Sequence, residues 1–140
     1  MKALLAICSF LLIITVIVSC QSEQQVEFNR YYSSGAAVYQ KNCQNCHGDQ
    51  GQGLAALIPP LTDQGFLKKN KRSLTCIIQL GLSSKIKVKG VKYESKMPAV
   101  DLSPIEIAQV TTYITNSFGN KLGLVTNDDV LRDLKHCTSP

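Results

Sequence analysis

Apolar and polar positions follow several different rhythms along this chain, and each predicts an element. Residues 3–18 are an almost uncharged apolar run behind the single basic Lys2. The run is short for a bilayer span and reads as a signal peptide over 1–19. The stretch "QSEQQVEFNRYYSS" that follows is polar and without apolar periodicity, which predicts a flexible tether over 20–32. "SSGAAVYQKNC" predicts a helix with Ser34 as N-cap. "RSLTCIIQLGL", from Arg72 to Leu82, reads as a short helix capped by Ser73 and ended by Gly81. The period then drops to two: Ile86, Val88, Val91 and Tyr93 alternate with lysines, and Lys89-Gly90 predicts the turn of a small hairpin over 86–93. "LSPIEIAQVTTYITNSFG" is the clearest helix. Ser103 is its N-cap, Pro104 its first residue and Glu106 the partner in a capping box; Ile107, Val110, Ile114 and Phe118 share one face, and Gly119 is the stop. "TNDDVLRDLKHC" predicts a last short helix starting near Asn127 or Asp128.

The apolar run ends in "IVSC", Ile17 to Cys20, which resembles a bacterial lipobox. That predicts a lipid on Cys20 and a lipoprotein anchored to a membrane of the cell envelope, facing the periplasm. Without residues 1–19 the chain amounts to one small domain with a modest core. Charge is uneven along it. Residues 68–96 hold nine Lys or Arg and one acid, Glu94, a net +8, although the whole chain carries only +5. A basic stretch of this kind could steer an acidic redox partner, or could simply be a solvated surface. An exported lipoprotein does not meet nucleic acid, so that class of partner is set aside.

The chemistry concentrates in "CQNCH", Cys43 to His47. A thioredoxin-like redox pair would need a preceding strand, and nothing before Cys43 reads as one. A cysteine-tied structural zinc module would need a fourth ligand, and beyond this stretch only Cys76, His136 and Cys137 could contribute. Covalent haem accounts for every residue of the motif. On a helical turn, positions i, i+3 and i+4 share a face. Two thiols can then meet the vinyl groups on one porphyrin edge, with the histidine reaching the iron from the same side. C-x-x-C-H is the c-type haem attachment signature.

With these residues the chain resembles a monohaem class I cytochrome c of the bacterial lipoprotein type, over about residues 33–118. Gly35 and Tyr39, just ahead of Cys43, match the family's glycine–aromatic pattern on a helix that crosses the C-terminal helix, where Tyr113 is the aromatic partner. The resemblance implies an all-α fold of four to five short helices around one haem c, with a C-terminal extension over 119–140. It also implies a glycine-rich loop beside the haem, with Gly51 and Gly53. In "IPPL" it implies a proline carbonyl that accepts the His47 Nδ1–H, Pro60 being the first choice and Pro59 the second, and an apolar wall of Leu57, Leu61 and Leu67. Met97, in "SKMPAV", matches the family's second iron ligand, with His136 as its rival. His/Met ligation favours an electron carrier over an enzyme. The carrier could still be the cytochrome subunit of an oxidoreductase complex, and a labile sixth ligand would make it a haem-based enzyme or sensor instead. The implied partners are a membrane dehydrogenase, a quinol-oxidising complex or a terminal oxidase. Cys76 and Cys137 are left as an even pair in an oxidising compartment, which predicts a disulfide pinning the tail helix.

Overall fold

The longest of the described helices begins where the sequence pattern predicts no structure. The computed structural model describes residues 23–137, and helix α1 runs from Glu23 to Asn42. The expected tether over 20–32 is therefore helical from Glu23 onward, and Ser34 lies inside the helix rather than capping it. The signal segment and Cys20 lie outside the described residues. The polar sequence hid this helix because tertiary contacts stabilise it rather than a local amphipathic stripe. Tyr31 is buried. Phe28 stacks on Tyr32 at 5.8 Å between ring centroids. Tyr32 meets Tyr113 at 5.2 Å and shares a 3.0 Å hydrogen bond with the Ser117 hydroxyl.

The remaining elements are α2 (Gln44–His47), α3 (Gln64–Lys69), α4 (Lys71–Leu80), β1 (Ile86–Val88), β2 (Val91–Tyr93), α5 (Pro104–Asn116) and α6 (Asn127–Leu134). The architecture is all-α with one small antiparallel hairpin. None of the described helices is long and apolar enough to cross a membrane.

Helices α1 and α5 cross at Gly35. A β-carbon there would lie 2.0 Å from the Gln109 carbonyl oxygen and 2.9 Å from the Tyr113 Cβ, so only glycine lets the two backbones approach this closely. Tyr39, one turn on, packs its ring against Tyr113 at 5.3 Å. The start of α5 follows the sequence closely: the Glu106 carboxylate accepts from the Ser103 backbone N–H at 2.9 Å and from its hydroxyl, with Pro104 in the first turn. Its end does not. The helix stops at Asn116, and Phe118 takes a left-handed conformation with φ 57° before Gly119. Leaving the helix lets the Phe118 ring pack on Tyr39 and Tyr113, at 5.3 and 5.7 Å.

Helix α4 starts at Lys71 after Asn70, so Ser73 is not its cap; Gly81 ends it as expected. The hairpin pairs Ile86 with Tyr93 and Val88 with Val91. Its two turn residues, Lys89 and Gly90, both have positive φ, as a tight right-twisted hairpin requires. In the tail, Thr126 and Asp129 form a capping box at the start of α6, and Val125 and Val130 join the core. The tail is held by the Cys76–Cys137 disulfide, with Cα atoms 5.4 Å apart. It is also held by paired hydrogen bonds between the Thr112 hydroxyl and the Val125 backbone, at 3.0 and 3.1 Å.

Candidate functional site

Between α2, α4, the hairpin and α5 lies a cavity walled almost entirely by apolar side chains. Helix α4 contributes Leu74, Ile77 and Ile78, whose i, i+3, i+4 spacing puts them on one face. The hairpin contributes Ile86, Val88 and Tyr93, and α5 contributes Thr111 and Ile114. Sequence reasoning missed the α4 residues as site residues, although their periodicity was visible.

Cys43, Cys46 and His47 all line this cavity. The turn that carries them continues directly from α1: the Cys43 N–H donates to the Tyr39 carbonyl at 2.8 Å, and the His47 N–H to the Cys43 carbonyl at 2.9 Å. Neither cysteine takes part in a disulfide; Cys46 is exposed and Cys43 half-buried. Burial, and then the neighbouring Cys46, push the Cys43 thiol up to about 11. Among the described residues no three His, Cys, Asp or Glu side chains gather as a metal site.

His47 is 9% exposed. Its Nδ1 lies 3.1 Å from the Pro59 carbonyl oxygen. This corrects the first choice of Pro60: the acceptor is Pro59, the second choice, and both prolines line the cavity. A backbone carbonyl can only accept, so Nδ1 carries the proton and Nε2 keeps its lone pair. Burial lowers the His47 pKa, partly offset by that carbonyl, so the ring is held neutral and able to ligate.

The loop after His47 is folded by the ladder of its own backbone. Gly53 N–H donates to the His47 carbonyl at 2.8 Å, and Leu61 N–H to the Gly51 carbonyl at 2.7 Å. A β-carbon on Gly53 would lie 2.3 Å from the Ile58 carbonyl oxygen, and one on Gly51 would lie 2.5 Å from the Phe118 ring. Both glycines therefore shape the loop and do not line the cavity, which differs from their expected place beside a cofactor. Leu57, Leu61 and Leu67 do line it. Two clasps around this loop were not legible in the sequence. The Tyr39 hydroxyl donates to the Gly48 carbonyl at 2.6 Å, and Asn120 Nδ2 donates to the Leu61 carbonyl at 2.8 Å.

Met97 lines the same cavity. Its backbone is bonded in both directions to Leu82, each bond 2.9 Å. The adjoining Gly81 leaves space that a β-carbon would fill, 2.5 Å from the Met97 carbonyl oxygen. His136 is elsewhere, in a shallow depression with Arg72, Ser73 and Cys76.

The residues present fit a haem. The cavity is apolar, two free thiols and one imidazole nitrogen open onto it, and a thioether joins them from a distant segment. The buried Thr111 hydroxyl on its wall lacks a hydrogen-bond partner, as expected of a site shaped around a bound group.

Comparisons with known proteins agree. The family model described as cytochrome c matches residues 32–117. The chain is 33% identical over 93 residues to cytochrome c-552 of Thermus thermophilus, covering 63% of this chain and 70% of that protein. It is 37% identical over 112 residues to the cytochrome c subunit of a quinone-dependent alcohol dehydrogenase from Gluconacetobacter polyoxogenes. That match spans 71% of this chain but only 22% of the subunit.

Proposed function

This chain belongs to the cytochrome c family, and from that premise we propose that it is a lipid-anchored monohaem electron carrier with His47 and Met97 as axial ligands. The family's cofactor is haem c, held covalently, and it supplies a one-electron ferric–ferrous couple. Cys43 and Cys46 hold it through thioethers. His47 presents Nε2 to the iron, and the Pro59 carbonyl sets the ring's orientation and raises its basicity. Met97, its backbone bonded to Leu82, would supply the second protein ligand to the iron. With His47 and Met97 both bound, a substrate or gas would have to displace one of them. The apolar walls exclude water and keep the charge change on oxidation from being strongly solvated. Lipid on Cys20, in "IVSC", tethers the carrier to a membrane of the bacterial envelope, on the periplasmic side. Its exchange partners are a membrane dehydrogenase or quinol-oxidising complex and a terminal oxidase. The alcohol dehydrogenase relative supports the first of these.

The observation that carries this reading is the neutral, oriented His47 in a cavity shared with two free thiols and Met97. The test is the absorption spectrum of the oxidised protein, made in a host that attaches haem. Wild type is expected to show a low-spin haem with the weak far-red band of a sulfur–iron bond. Met97→Ala is expected to lose that band and to have a lower reduction potential. A wild-type haem spectrum without the band would overturn Met97 ligation and favour a sensor or enzyme with an open site.

A further inference from the structure

We propose that the Cys76–Cys137 bridge is a thiol–disulfide exchange site, and that its opening by a dithiol reductant frees Met97 from the iron. The inference rests on the reading of Met97 as an iron ligand and adds a control on that same site. Cys76 ties α4 to the tail at Cys137, while its neighbours Ile77 and Ile78 wall the cavity. The same helix is stitched to the Met97 segment. The Val100 N–H donates to the Ile78 carbonyl at 2.9 Å, and Leu82, just past the helix end, is bonded to Met97 in both directions. Helix α4 thus lies between a covalent tie to the tail and a backbone tie to Met97, so a change at one end is passed to the other.

The tail does not depend on the bridge alone. Val130 is fully buried, and the Thr112 hydroxyl and the Val125 backbone bond each other. Lys71 Nζ, in the first turn of α4, donates to the Leu122 and Leu124 carbonyls at 2.9 and 3.4 Å. These contacts keep α6 and the start of α4 seated when the bridge opens. The stretch from Cys76 to Leu82 is what gains freedom, and it is the part that holds Met97. Local opening of this kind costs less than global unfolding.

The bridge is also within reach of solvent. Cys76 is half-buried and lines a surface depression with Arg72, Ser73, Arg132, Asp133 and His136. Asp133, the one carboxylate in that lining, is paired with Arg72 at 3.8 Å, so no free anion there repels an approaching thiolate. One thiolate of the reductant attacks Cys76 Sγ, the S–S bond breaks, and Cys137 leaves as a thiolate that takes up a proton. The reductant's second thiol then displaces Cys76, which is protonated in turn. The bridge gains two electrons and two protons, and the dithiol is oxidised to its own disulfide. Loss of the thioether removes the ligand that raises the haem potential, so the thiol state of the surroundings sets whether the protein carries electrons.

The test uses ferrous holoprotein, dithiothreitol as the dithiol, and carbon monoxide as a ligand that competes with Met97. Opening the bridge, with N-ethylmaleimide added to hold both thiols, should raise carbon monoxide affinity by about 10-fold. Far-ultraviolet circular dichroism should stay as in the bridged protein. A Cys76→Ser/Cys137→Ser variant should bind carbon monoxide like the opened protein without chemical treatment. Coupling is reciprocal. In Met97→Ala, thiol counts in dithiothreitol redox buffers should therefore show a bridge about 10-fold easier to reduce, a potential higher by ~30 mV. Glu106→Gln weakens the start of α5 and touches neither site, so it should change both readings by less than about 2-fold.

Equal carbon monoxide affinity with the bridge open and closed would overturn the inference. So would a bridge whose reduction ignores Met97→Ala, or responds as much to Glu106→Gln. A bridge that dithiothreitol does not reduce in the folded protein is no exchange site, and loss of helical circular dichroism on opening would make it a plain staple. A bridged wild type that binds carbon monoxide as readily as Met97→Ala would instead overturn the reading of Met97 as a ligand, and this inference with it.

Discussion

At Gly35, the carbonyl of Gln109 occupies the space where a β-carbon would sit, so one missing methyl group sets the distance between α1 and α5. Gly35→Ala is expected to cost about 2 kcal/mol, because the neighbour is backbone and cannot rotate away; denaturant unfolding of the holoprotein measures it. Tyr39 has two roles at the adjoining position. Its ring fills the seam against Tyr113 and Phe118, and its hydroxyl holds the Gly48 carbonyl just after His47. Tyr39→Phe keeps the first role and removes the second, and about 1 kcal/mol of stability should go with it. The packing role of Gly35 and Tyr39 was legible in their spacing before Cys43. The hydroxyl bond was not, because nothing in a linear pattern shows that the loop after His47 returns to within reach of Tyr39.

Two elements depend on carboxylates at their first turns. Glu106 caps α5 and Asp129 caps α6, and hydrogen bonds from Ser103 and from Thr126 respectively lower each acid's pKa. A carboxylate whose folded pKa is depressed contributes stability above its unfolded value and loses it as pH falls through the folded one. The holoprotein should therefore lose stability as pH drops below the ordinary values of 4.5 and 3.8 for these groups. Glu106→Gln and Asp129→Asn should each flatten part of that acid limb in unfolding curves recorded against pH. Helix α6 is bound to α4 by a bridge spanning 61 residues, which in the chain-entropy model contributes about 4 kcal/mol. A Cys76→Ala/Cys137→Ala variant should lower the unfolding free energy by about that amount. Because α4 also walls the cavity, its haem spectrum should begin to change at lower denaturant concentration than that of the wild type. The start of α5 was readable from its capping residues in the sequence; the start of α6 was placed near Asn127 or Asp128 without its Thr126–Asp129 cap. The end of α5 was misread because Phe118 fits the helical period, while its ring gains more by leaving the helix to pack on Tyr39 and Tyr113.

For the molecule as a whole, the cavity wall is a core without a filling of its own. Leu67, Leu74, Ile78 and Ile114 belong to the main hydrophobic cluster and also face the cavity. Protein made in a host without haem attachment should keep much of its helical circular dichroism but lose its near-ultraviolet signal, since the packing around the cavity has no partner surface. A cooperative unfolding transition equal to that of the holoprotein would contradict this. The same dependence explains why the cavity's residues come from nearly every element: each must turn one apolar side toward a common centre.

The sequence by itself determined the chemistry and most of the element order. CxxCH places its three reactive groups on one helical face whatever surrounds it, the capping residues start α5 and α6 locally, and the Lys89-Gly90 turn closes the hairpin within a few residues. Tertiary structure alone decided the features that depend on contacts between distant segments. Glu23–Tyr32 is helical because its aromatics meet α5 and Ser117. Pro59 rather than Pro60 orients His47, because the loop's fold and not its composition aims the carbonyl. Met97 is held at the cavity by Leu82, a pairing between segments that the sequence separates and only the packed chain brings together.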